Sequence, residues 1–210
     1  MTIQQARDIL SDRPFLHRTR DDEPKDGGLN SPMGERFIAE LSTLDRPRIA
    51  ETGSGLSTLV FLSLDPGSVI TISPAPDLHE RIRTEGVERG IDMAPVRFVE
   101  DRSETALPLL ALVEGIELDA GFIDGNHGWP AVFVDFCYLN RMLRPGGLMF
   151  IDDIQIYAVA QLVCMLREQT PHYEFLGIDS KMATFRKGLD KPYLPDWRME
   201  PFITSNTATA

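Results

Sequence analysis

From Arg48 onward, short apolar runs rich in β-branched residues alternate with amphipathic segments, and the connections between them are only a few residues long. The runs at 49–52, 69–72, 96–99, 120–123 and 148–151 each end at Gly, Ser or an acid, which is how strands buried on both faces read. Right-handed crossovers return each strand to the same sheet, so five strand–helix units force parallel pairing and a Rossmann-like doubly wound α/β fold. After the fifth unit, β runs at 173–178 and 182–186 flank a polar pair, Asp179-Ser180. That pattern predicts a hairpin adding one antiparallel strand at an edge.

The intervening helices are equally patterned. Ser31 as N-cap, Pro32 at the first helical position and Glu35 in the first turn start a helix whose apolar side is Phe37, Ile38 and Leu41. Further helices are expected at about 57–64, from Pro76-Asp77 through Leu78, Ile82 and Val87, and from a Ser103 cap through Leu107, Leu110 and Val113. Val132, Phe133, Phe136, Cys137, Leu139 and Leu143 share a helical face before the 144–147 turn, and 155–169 buries Val159, Leu162, Val163 and Leu166. Residues 1–30 are polar and broken by Pro14, Pro24 and Gly27-Gly28, which predicts a solvated N-terminal arm. Residues 191–210 read as a tail, disordered from 201 on, leaving a core domain at 31–190.

A length of 210 residues suits one domain. The net charge of −11 argues against nucleic acid or an anionic membrane as a partner. Cys137 and Cys164 lie in amphipathic stretches and read as buried hydrophobes in a reducing compartment. With no apolar h-region and no apolar run near 18 residues, a cytoplasmic protein is expected. A homodimer stays open.

Two of the strand ends carry the chemistry. Asp124 follows the fourth strand and Asp152-Asp153 the fifth, with His127 one turn beyond Asp124. In open α/β sheets the ligand lies beyond the carboxyl ends of the strands, so these acids share one rim. Trp129 is near it and reads as a packing residue. The first strand ends in Glu51-Thr-Gly53-Ser-Gly55, a glycine turn opening a helix, where backbone N–H groups favour an anionic group. Thr58 stands where a dinucleotide fingerprint wants its third glycine, and no Lys precedes Ser or Thr as in a P-loop.

Glu51-x-Gly53-x-Gly55, the acid-ended fourth strand, the Leu143-Arg-Pro-Gly-Gly-Leu148 turn and the closing hairpin occur in the order of the class I S-adenosylmethionine-dependent methyltransferases, which the chain resembles over about residues 30–188. The resemblance implies a seven-stranded sheet and a small-molecule substrate. It implies a cofactor whose methionine end lies over Gly53, Ser54 and Gly55 with Glu51 nearby. Where many members end the second strand in an acid for the ribose, this chain has Ser73, with Asp77 further on; Arg102 and Ser103 match the stretch along the adenine.

Within that superfamily the rim is similar to the divalent-metal-dependent O-methyltransferases that act on catechols, caffeoyl esters and macrolide sugars. The resemblance implies Mg²⁺ on Asp124, Asp152 and Asp153, with His127 as the base that takes the acceptor's hydroxyl proton. Other roles fit the same residues. Asp153 suits an N-cap, His127 a loop histidine bonded to a carbonyl, Asp124 an anchor for the cofactor's amine, and residues 30–35 a plain structural helix or a lid. A non-catalytic S-adenosylmethionine-binding protein and a nicotinamide-dependent oxidoreductase are the competing functions.

Overall fold

A computed structural model describes residues 3–18, 21, 23–25, 28–168 and 172–188. Its centre is a seven-stranded sheet: β1 (Arg48–Thr52), β2 (Ser68–Ile72), β3 (Val96–Val99), β4 (Leu118–Ile123), β5 (Leu143–Ile151), β6 (Tyr173–Asp179) and β7 (Met182–Lys187). The order across the sheet is β3-β2-β1-β4-β5-β7-β6. β1 to β5 pair in parallel, β7 pairs antiparallel with β5, and β6 pairs antiparallel with β7. The antiparallel strand is therefore one in from the edge, not at it. A hairpin pattern fixes that two strands pair, but not which of them meets the existing sheet.

Alternation along each strand serves two cores. Ile49, Val69, Phe122 and Phe150 face α1 (Ile3–Asp12), α2 (Ser31–Leu41), α3 (Leu56–Ser63) and α4 (Pro76–Glu88). Ala50, Ile70, Ile123 and Ile151 face α5 (Ser103–Leu109), α6 (Ala131–Met142) and α7 (Tyr157–Glu168). Phe37 of α2 anchors the first core, its ring meeting those of Phe61, Phe122 and Phe150 edge-on at 4.9–5.0 Å.

Several expectations give way here. The N-terminal arm contains a helix, α1, which buries Ala6, Ile9 and Leu10. It lies so close to α2 that a Cβ on Gly34 would stand 2.3 Å from Leu10. In the acidic stretch at 20–26, Pro24–Lys25 pair antiparallel with His17–Arg18, while residues 20, 22 and 26 and the tail at 191–210 lie outside the described residues. Asn30, not Ser31, caps α2, its Oδ1 accepting from the Met33 amide. Arg102 occupies the cap position of α5 without a side-chain bond, and a π-helical turn, Leu110–Glu114, continues that helix. Val87 and Val113, expected on the apolar side of their helices, are exposed. Leu143 opens β5 instead of closing α6, and α7 starts at Tyr157. Cys137 is half-buried and Cys164 exposed, since each sits beside the apolar stripe of its helix instead of within it.

Candidate active site

Register sets the site. Thr52 pairs with Ile72 on one side and Ile123 on the other, and Ile123 pairs with Ile151, so β2, β1, β4 and β5 end in one row. The ladder runs one residue further: the amides of Gly53, Asp124 and Asp152 donate to the carbonyls of Ile72, Thr52 and Ile123 at 2.9–3.0 Å. Backbone bonds alone therefore fix the glycine turn, Asp124 and Asp152 side by side.

Above this row opens a cavity of about 740 Å³, within the range of small-molecule sites. Gly53 and Ser54 of the glycine turn line it, with Ser73 and Ala75 after β2, Arg102 and Ser103 at the start of α5, and Asp124, His127, Asp153 and Lys181 at the acidic rim. His17 and Gly28, from the N-terminal segment, also line it. Of the expected cofactor residues, Gly53, Ser54, Ser73, Arg102, Ser103 and Asp124 line this space. Gly55 is not among the lining residues and lies against the His17 ring, where a Cβ would come within 2.7 Å of Nε2.

Glu51 does not reach the cavity. It is fully buried beneath the turn, where Ser57 Oγ donates to it at 2.6 Å and Thr58 Oγ1 donates to its other oxygen. The Thr58 hydroxyl in turn accepts from the Gly55 amide at 3.2 Å, so Glu51 shapes the helix start that the glycines open. Burial pushes the Glu51 carboxyl up to about 7, the Ser57, Thr58 and Thr71 hydroxyls opposing it. In the unfolded chain the group ionises near 4.5. Between those values the folded protein keeps a proton that the unfolded chain has released, so stability is greatest below 4.5 and falls as pH rises through 7. The loss amounts to at most about 3 kcal/mol, and Glu51→Gln should flatten it in chemical denaturation at pH 5 and pH 7.5.

At the acidic end, burial and the neighbouring Asp152 carboxylate hold the Asp124 carboxyl well above the usual range. Asp152 is 1% exposed; one oxygen accepts the Asp153 amide at 2.7 Å and the other accepts from Lys181 Nζ at 3.0 Å. Asp153, in the left-handed region at φ 55°, accepts from Lys181 Nζ at 2.7 Å and from Gln155 Nε2 at 2.9 Å. Burial works against ionisation of Asp153, but the bonds from Lys181 and Gln155 outweigh it and hold its carboxyl low. Its carboxylate thus turns to the rim and not to the first turn of α7, as an N-cap would.

His127 bridges the two strand ends. Nε2 is 3.6 Å from Asp124 and Nδ1 is 3.5 Å from Asp153. Nε2 is buried with no hydrogen-bond partner, so the carbonyl-bonded loop histidine is not found. Burial lowers its pKa below 6.5, against the pull of Asp153 and Asp152, which leaves the ring neutral at pH 7. Asp124, His127 and Asp153 offer three donor atoms within 4.8 Å of one another, a set able to hold a metal ion; Asp152 stands outside it. Trp129, at 79% exposed, is a surface residue and not the packing residue expected.

Lys181 escapes a reading by sequence because a lysine after a hairpin turn carries no signal until the fold brings it to β5. Asp135 escapes for a similar reason. It is fully buried in α6, and a Cβ on Gly125 would come within 3.4 Å of its carboxylate; burial pushes its carboxyl up to about 6.

A family model described as a methyltransferase domain matches residues 50–154, which runs from within β1 past the end of β5 and includes every acid of the rim. No curated protein matches the chain. Among solved structures, the O-methyltransferase TomG from Streptomyces achromogenes, in complex with SAM, is similar with a TM-score of 0.69 at 20% identity, covering 86% of this chain and 89% of that one. The Bacillus cereus O-methyltransferase, in complex with SAH, gives 0.61 at 14% identity over 89% and 92%. A methyltransferase from Geobacter sulfurreducens gives 0.62 at 14% over 78% and 82%. At these identities the likeness is one of fold.

Proposed function

The chain belongs to the methyltransferase-domain family, and from that premise we propose that it transfers the methyl group of S-adenosylmethionine to a hydroxyl of a small molecule, with help from a divalent cation such as Mg²⁺. The observation that carries this reading is the row of strand ends, which puts a glycine turn and Asp124 against one cavity beside an unpartnered imidazole. The donor's amino-acid end would lie over Gly53 and Ser54, its ribose by Ser73, and its adenine along Arg102 and Ser103. Ser73 supplies a hydroxyl where a carboxylate would bind both ribose hydroxyls, so affinity would lean more on the turn and the adenine wall.

Methyl transfer is an in-line displacement, and the protein's share is alignment and removal of a proton. His127, neutral at pH 7, would take the acceptor's proton on Nε2. Carboxylate oxygens suit a hard divalent ion, and Asp124 and Asp153 would hold it with His127 left free beside it as the base. Such an ion lowers the pKa of a bound hydroxyl toward neutrality. The unpaired thiols of Cys137 and Cys164 support a reducing compartment, the cytoplasm. Among the described residues no helix is long and apolar enough to cross a membrane.

Calorimetry tests the donor: S-adenosylmethionine and its demethylated product should bind, and NAD should not. Heat from NAD alone would favour the oxidoreductase. Methyl transfer to hydroxylated acceptors should stop with EDTA and return with Mg²⁺; turnover indifferent to EDTA would remove the cation from the reading.

A further inference from the structure

The acidic rim already holds a cation of its own. Lys181 Nζ lies 3.0 Å from Asp152 and 2.7 Å from Asp153, and no other ammonium or guanidinium among the described residues forms an ion pair with either acid. It is delivered by a fixed turn, not by a loose arm. Ser180 holds the left-handed conformation at φ 59°, and its hydroxyl accepts from Asn30 Nδ2 at 2.8 Å. The Lys181 carbonyl accepts from the Ile154 amide at 3.0 Å, which ties the hairpin turn to the segment just after the acids. Arg36 of α2 grips the preceding Asp179 at 2.6 Å.

This has a consequence for ligand atoms. Both Asp152 oxygens are engaged, one by Lys181 and the other by the Asp153 amide. One Asp153 oxygen is shared by Lys181 and Gln155, and the other faces His127. The three-donor set of Asp124, His127 and Asp153 leaves Asp152 out, and of its members Asp153 is the one that Lys181 holds. We propose that Lys181 is a tethered counter-cation that competes with a divalent ion for Asp153, its second bond, to Asp152, keeping the rim assembled before the ion binds, and that this competition holds the ion's affinity down.

The proposal rests on the cation-assisted reading above, and its test separates the two. Mn²⁺ is titrated calorimetrically into the full-length wild type, Lys181→Met and Lys181→Arg, with binding of the demethylated cofactor measured on each as a check on fold. Removing the ammonium should tighten Mn²⁺ binding about tenfold or more, equivalent to about 1.4 kcal/mol, while Lys181→Arg stays near wild type. Without added ion Lys181→Met should melt below wild type, and Mn²⁺ should close that gap. Equal or weaker Mn²⁺ binding by Lys181→Met overturns the proposal, since Lys181 then builds the site instead of competing for it. No Mn²⁺ binding by any of the three also overturns it, yet leaves methyl transfer standing if the demethylated cofactor binds. Should Lys181→Met not fold, Lys181→Gln, which keeps a polar head without the charge, takes its place under the same criteria.

Discussion

Replacing Gly53 with alanine should cost the protein both stability and its donor site. Gly53 sits at φ +85°, where an L side chain is disfavoured by about 1–2 kcal/mol. A Cβ there would stand 2.3 Å from the carbonyl oxygen of Asp124 and 2.9 Å from its carbonyl carbon. Those are backbone atoms in a ladder whose Asp124 amide is already bonded to Thr52, so the neighbour cannot swing aside as a side-chain tip would. Either the turn lifts off β2, breaking the bond from the Gly53 amide to Ile72, or Asp124 is pushed away from Asp152. Overpacking adds about 1–3 kcal/mol to the conformational term, so a total loss of about 2–5 kcal/mol is expected in chemical denaturation. Binding of the demethylated cofactor should be lost in calorimetry even where the variant stays folded. Wild-type affinity in Gly53→Ala would show that the donor does not rest on this turn. Gly34→Ala provides the contrast. Its Cβ would meet the flexible tip of Leu10, so it should loosen α1 without touching the cavity.

The same ladder explains what the sequence makes legible. Strands covered on both faces need apolar residues at nearly every position, so β1, β2, β4 and β5 stand out, and their ends mark the rim. Gly53, Asp124 and Asp152 could be placed together because parallel register aligns strand ends by backbone geometry alone. Side chains arriving from elsewhere in the chain could not. α1 buries only Ala6, Ile9 and Leu10 in a polar stretch, a stripe too narrow to outweigh its composition. Lys181 enters from a hairpin whose strand order no local pattern fixes, and His17 from a segment that reads as a solvated arm. Glu51 is the instructive case. Its position in the glycine motif suggests contact with the cofactor, whereas its carboxylate is spent on Ser57 and Thr58 one layer below. The motif marks the right turn, and only packing separates the residues that face the cavity from those that shape it.

His127→Asn should lower kcat by about 10²–10⁴-fold while leaving affinity for the demethylated cofactor close to wild type. Asparagine keeps a polar group of similar reach, so the loop from Asp124 to Trp129 has no large void to refill. What it lacks is a nitrogen that can accept a proton at pH 7. The native ring is neutral there because burial outweighs Asp153 and Asp152, which both favour the imidazolium. The same two acids would then steady the cation formed once the proton arrives. The ground state and the protonated state therefore draw on different parts of one environment, as a general base requires. Single-turnover methyl transfer with saturating S-adenosylmethionine isolates this step from product release. A wild-type single-turnover rate in His127→Asn would assign the proton to another acceptor, and the buried, unpartnered Nε2 would then be a feature of packing alone.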